Sequence, residues 1–121
     1  MPSKLLIIIS QDPGDTLSMA TILSRSRVAA AMEYEVEVIF TGHAAKLACE
    51  GIAQGLPSHL HSHHSLHDLI KESVDDGVVF KVCSAMMESM EANSISEIQD
   101  TVGEAYIISE AMDSDCRVMT F

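Results

Sequence analysis

Apolar positions along this chain fall into short unbroken runs separated by segments of helical period. Residues 4–10 form an aliphatic run with three consecutive isoleucines, too short for a helix and apolar on both faces, as a strand inside a parallel sheet must be. Gln11-Asp12-Pro13-Gly14-Asp15 is turn chemistry, and Asp15 or Thr16 suits the N-cap of a following helix. That helix carries Leu17, Ala20, Leu23, Ala31 and Met32 at compatible spacings, with Arg25, Arg27 and several serines elsewhere on its surface. Residues 35–40 make a second strand, at the interval of about thirty residues that a βαβ unit needs. Two parallel strands joined by a right-handed crossover follow.

Thr41-Gly42-His43 ends the second strand, and residues 44–52 read as a short helix. The long irregular stretch 53–64 contains Gly55, Pro57 and most of the histidines. Ser65 with Asp68 resembles a capping box, ahead of Leu66, Leu69, Ile70 and Val74 on one helical face and Gly77 as C-cap. Residues 78–82 are the third strand and 84–91 a methionine-rich helical turn or two. Short helices are expected over 94–102, with Ser94 and Glu97 as its box, and over 106–112. Residues 117–121 form a fourth strand, and 101–105 is a candidate for a fifth. This alternation predicts one domain over residues 1–121, a three-layer α/β/α sandwich around a mostly parallel sheet of four or five strands. Chemistry in such folds gathers at the carboxyl ends of the strands, where residues 10–16, 41–43 and Cys83 with Ser84 converge.

Charge narrows the partners. Seven Lys and Arg against 18 Asp and Glu give a net charge of -11, a field that repels nucleic acid and anionic lipid and favours a basic protein partner. No apolar run approaches the roughly 18 residues of a membrane helix. Met1-Pro2-Ser3-Lys4 leads straight into the first strand, without the separate regions of a signal peptide, so a cytoplasmic location is expected. Three cysteines at wide, irregular spacing argue against a disulfide framework or a zinc ribbon, and reduced thiols are expected.

Cys83 stands where a strand pattern stops and a helical one begins. A cysteine there meets the positive end of a helix dipole, which favours the nucleophilic thiolate. The plainer reading is buried filler, and it suits Cys49 and Cys116 better, since neither has such a setting. A second signal is histidine. His59, His61, His63, His64 and His67 fall close together, and imidazoles at short spacing bind zinc, copper or nickel. A solvated histidine-rich loop is the plainer account of them. Helix direction puts the start of the 65–76 helix at the same edge as Cys83, so an imidazole near the thiol is a further expectation. Met86, Met87 and Met90 read as core or subunit interface. Asp12, Asp15 and Glu50 read as caps and solvated charges, and neither a phosphate-cradling loop nor a nucleophile-elbow serine is present.

The aliphatic opening strand, the alanine-rich helix ending in Ala29 to Met32 before Val36-Glu37-Val38, Gly77 leading to Cys83-Ser84, and the final Val118-Met119-Thr120-Phe121 resemble the DsrE/DsrF-like family. That family includes small sulfurtransferase subunits of sulfur relays. The resemblance implies a cysteine at the end of the third strand that carries sulfur as a persulfide, here Cys83, and assembly as dimers, trimers or hexamers. The reading is of a sulfur carrier that needs no cofactor, with Cys83 exchanging sulfur between donor and acceptor proteins. Backbone N–H groups of Ser84 and Ala85 would steady the persulfide anion, and Ser84 or a nearby histidine such as His43 would assist. Two other classes stand beside it: a metal-binding or regulatory module built on His59 to His67, holding a transition metal, and a structural subunit with an inert thiol. The histidine-rich stretch is no part of the family pattern.

Overall fold

A computed structural model describes residues 3–58 and 64–121. Five strands, β1 (Lys4–Ile9), β2 (Glu35–Phe40), β3 (Val79–Cys83), β4 (Ile98–Val102) and β5 (Cys116–Thr120), form one sheet in the order β4-β3-β2-β1-β5. Every neighbouring pair is parallel. The expected α/β sandwich is therefore present, with a sheet that is parallel throughout. The helices are α1 (Thr16–Ala31), α2 (Leu66–Asp75), α3 (Ser84–Met90) and α4 (Glu104–Ala111). None of the described helices is long and apolar enough to cross a membrane.

The two faces of the sheet are covered unequally. Strand alternation sends Ile7 and Ile9, Val36, Val38 and Phe40, and Phe80 and Val82 to one face, where α1, α2 and Met87 of α3 close the main core. Phe40 and Phe80 stack there with ring centroids 5.6 Å apart. The intervening residues face the other way. Leu6, Ile39, Val102 and Cys116 form a smaller core there under Ile107 of α4. One eight-residue helix is the whole of that layer among the described residues.

Local chemistry explains the element boundaries. Asp15 caps α1 through Ser18 N–H, and Ser65 and Asp68 make the full capping box of α2. Gly77 turns the chain from α2 into β3 at φ +103°, a conformation open to glycine and strained for other residues.

Several expectations are corrected. The helix expected over 44–52 is a 3₁₀ helix, Gly42–Ala48, followed by a second at Ala53–Gly55. Residues 94–102 do not form a helix: Ile98–Val102 is β4, because its backbone completes the ladder beside β3. The fifth strand thus lies a few residues earlier than the 101–105 candidate. On α1, Leu17, Ala31 and Met32 are exposed, while Met19, Ile22 and Ala29 join Ala20 and Leu23 in the core. Cys116 opens β5 rather than preceding it.

Candidate functional site

Cys83 is the last residue of β3 and the N-cap of α3, the junction expected from the sequence. Since Val82 points into the main core, Cys83 points to the α4 face, beside its register partner Val102. β4 ends there, Gly103 caps α4, and Glu104 is the first helical residue. Parallel pairing of β3 with β4 therefore brings a carboxylate to the thiol: Cys83 Sγ donates toward Glu104 Oε1 at 3.8 Å. The thiol is 2% exposed, whereas Glu104 is an exposed residue. α3 starts at the next residue, so the N–H groups of Ser84 and Ala85 belong to its first turn and have no partner within the helix.

The same face carries a charge network that sequence reasoning missed. Glu37 on β2 is 4% exposed, and Lys81 Nζ lies 2.7 Å from its Oε1. Lys81 also donates to Tyr106 Oη at 2.6 Å, and Tyr106 Oη donates to Glu37 Oε1 at 2.9 Å. Lys4 closes the group, 3.6 Å from Glu37 Oε2 and 3.2 Å from Glu110 Oε2. Burial works against the charge on Lys81, but Glu37 and Tyr106 outweigh it and its pKa is pushed up to about 12. Burial pushes the Tyr106 hydroxyl up as well. The network ties α4 to three strands through their least apolar positions. A signal for it exists in the sequence: Glu37 stands between two valines of β2, and Lys81 is the single charged residue of β3. Ile39 pairs with Lys81, so Glu37 and Lys81 are diagonal neighbours on one face.

The other two thiols differ from Cys83 in setting. Burial pushes both the Cys49 and Cys116 thiols up. Cys49 lies near Ala45 O and Met90 Sδ, and Cys116 Sγ donates to Arg117 O at 3.5 Å.

The described histidines, His43, His64 and His67, do not gather around Cys83. His43 is exposed in the first turn after β2, near Asp12, whose carboxyl is lowered first by the Gly14 N–H and further by Lys46 and His43. His64 Nδ1 stands 3.3 Å from Glu72 Oε1 and His67 Nε2 lies 2.6 Å from Glu97 Oε1. α2 packs on the face opposite to the Cys83 side chain, which separates His67 from the thiol despite the shared edge inferred from helix direction. His59, His61 and His63 lie outside the described residues. Among the described residues no group of three or more His, Cys, Asp or Glu could hold a metal ion.

A parallel α/β sandwich with a cysteine ending its third strand, faced by a carboxylate from the start of α4, is the class of protein these features define. The chain belongs to the DsrE/DsrF-like family, which matches residues 3–121. Comparison with curated proteins gives no match. Among solved structures the chain is similar to the ychN protein of E. coli, with a TM-score of 0.78 at 14% identity over 100% of both chains. BT1422 of Bacteroides thetaiotaomicron, a protein of unknown function, is similar at TM-score 0.70 and 14% identity, over 98% of this chain and 95% of that one. MTH1491 of Methanobacterium thermoautotrophicum, also of unknown function, gives 0.67 and 13% over 100% of both. At these identities the likeness is one of fold.

Proposed function

We propose that this protein is a cytoplasmic sulfur carrier acting through Cys83. The observation that carries the reading is the position of this thiol, at a strand-to-helix junction on the carboxyl edge of the sheet, with an exposed carboxylate as its side-chain partner. Membership of a family associated with sulfur relay supports it. Cys83 sulfur attacks the sulfane sulfur of a donor persulfide, R–S–SH. The donor S–S bond breaks, a new S–S bond forms on Cys83, and the donor leaves as a thiolate that takes up the proton released from Cys83. Nothing is oxidised overall, because the sulfane sulfur passes from one thiol to another. Attack by an acceptor thiolate on the terminal sulfur reverses the sequence, and no cofactor is required. N–H groups of Ser84 and Ala85 hold the persulfide anion in this reading.

Intact-mass spectrometry after incubation with polysulfide tests it. The expected result is a gain of one sulfur in wild type that is lost in Cys83→Ser and retained in Cys49→Ser and Cys116→Ser. Equal gain in wild type and Cys83→Ser would sink the reading.

A further inference from the structure

α1 buries Met19, Ile22 and Leu23, yet it leaves Val28 58% and Met32 62% exposed. Arg25, Val28, Ala29 and Met32 follow one another at helical spacings, so they form a single stripe. Across from the stripe stands the edge strand β5, whose Arg117 is the register partner of Leu5 on β1. With Lys4 and Tyr34 these residues line a groove of about 450 Å³. That volume is in the range of small-ligand sites, which are mostly apolar with a few placed polar groups. The groove lies at the amino ends of β1 and β5, whereas Cys83 ends β3 at the carboxyl edge of the same parallel sheet. It shares no residue with the thiol site.

The charged groups of the groove are all cationic, Lys4, Arg25 and Arg117, and no carboxylate among the described residues lines it. Cations are scarce in this chain, seven against 18 carboxylates. Most are tied up: Lys4, Arg27, Lys46 and Lys81 each pair with a carboxylate. Arg25 and Arg117 have no ion pair among the described residues. Arg25 is instead steadied by a ring, its guanidinium 5.5 Å from the Phe121 centroid. A guanidinium fork is the natural partner of a carboxylate or phosphate. Two such forks beside an apolar wall therefore match a ligand with an anionic head and an apolar body.

We infer that this groove binds a small amphipathic anion, an aliphatic chain carrying a carboxylate or phosphate head. The head pairs with Arg25 and Arg117, and the chain covers Leu5, Val28, Ala29 and Met32. A neutral apolar ligand would leave both guanidiniums without a counter-ion. A small anion without a chain would leave Val28 and Met32 in water. Both halves of the ligand therefore contribute, and they can be tested separately. The site does not depend on what chemistry Cys83 performs.

Octanoate, octyl phosphate, octanol and acetate are the probes, each titrated below micelle-forming concentrations into the isotope-labelled chain while backbone amide NMR shifts are followed. At least one of the two amphipathic anions should give saturable shifts confined to residues 4–5, 25–34 and 116–118, weakening as salt rises. The tighter of the two identifies the head. Octanol and acetate should each bind at least ~10-fold more weakly, the first for want of two ion pairs and the second for want of a buried chain. The double variant Arg25→Gln, Arg117→Gln should lose ~10-fold in affinity for the anion and none for octanol. Val28→Glu sets a carboxylate in the path of the chain and should abolish the saturable shifts. All three positions are exposed, so the fold survives these changes, and the amide spectrum of each variant checks that it does. Octanol binding as tightly as the anion, an arginine variant that binds like wild type, or shifts scattered outside the groove would overturn the inference. So would a groove that takes neither anion, as when a second copy or another protein covers it.

Discussion

Replacing Glu37 by leucine removes the only carboxylate shared by Lys4, Lys81 and Tyr106. Lys4 would keep Glu110 at 3.2 Å, but Lys81 would lose its ion pair, and its side chain is only 15% exposed. Removing one partner of a buried pair leaves a charge with neither counter-ion nor full hydration, at a cost of about 3–5 kcal/mol. Against a total stability of roughly 5–15 kcal/mol for a domain of this size, Glu37→Leu should bring the protein close to unfolding. The double change Glu37→Leu, Lys81→Met removes both charges and fills the space with apolar atoms. Such a swap is often neutral, so the double variant should recover to within about 1–2 kcal/mol of wild type. Urea unfolding at fixed protein concentration measures all three proteins. Alkaline pH probes the same bonds without mutation. Lys81 has a folded pKa raised from 10.5 to about 12, so its contribution is fully present below about 10.5 and is lost as pH rises through about 12. Tyr106, raised by burial, acts in the same direction. A cost below ~1 kcal/mol for Glu37→Leu, or a double variant as unstable as the sum of the single ones, would refute the claim that this network is shielded from water.

Three further outcomes are expected. Ser65→Ala removes the oxygen that accepts from Asp68 N–H at 3.1 Å, and thermal unfolding should show a loss of about 1 kcal/mol. Gly77→Ala has open space for its methyl group, so its cost of roughly 1–2 kcal/mol should come from the backbone at φ +103° alone. Equal stability of wild type and Gly77→Ala in urea would contradict that turn geometry. Burial opposes the charge on Glu97, but His67 prevails and holds its carboxyl below the usual value. Its contribution is present above the unfolded pKa and fades as pH falls through the folded one, so acid titration should find wild type losing stability there faster than Glu97→Gln.

Elements whose cause is local were legible in the sequence. The isoleucine run of β1, the capping box of α2 and the junction at Cys83 each rest on a few adjacent residues. β4 was not, because Ile95, Ile98 and Val102 are spaced like a helix face and Gln99 and Asp100 give an edge strand no apolar run. Its register also shifts between Phe80 and Lys81, a feature of the pairing that no single segment encodes. Starting α4 at residue 106 left Glu104 outside the helix, within the 101–105 strand candidate, whereas the Cys83 to Val102 pairing sets it against the thiol. Glu37 and Lys81 become partners only when β2 and β3 are aligned, which is a long-range fact. The core side of α1 was not legible either: Leu17, Ala31 and Met32 were grouped with Ala20 and Leu23 by spacing yet are exposed, because the crossover between β1 and β2 decides which side meets the sheet.

The pairing of β1 with β5 also bears on how the chain acquires its shape. Lys4 is opposite Cys116, so one side of β1 finds its neighbour only after the intervening elements exist. β2 can dock on the other side of β1 as soon as α1 has formed, since that connection is short. Until β5 arrives, the first strand exposes an aliphatic ladder of unpaired backbone groups, the kind of edge that recruits other chains. Closing the sheet from the far end of the sequence is a slow, non-local step. Destabilising β5 should therefore raise aggregation during refolding more than its small share of the core would suggest.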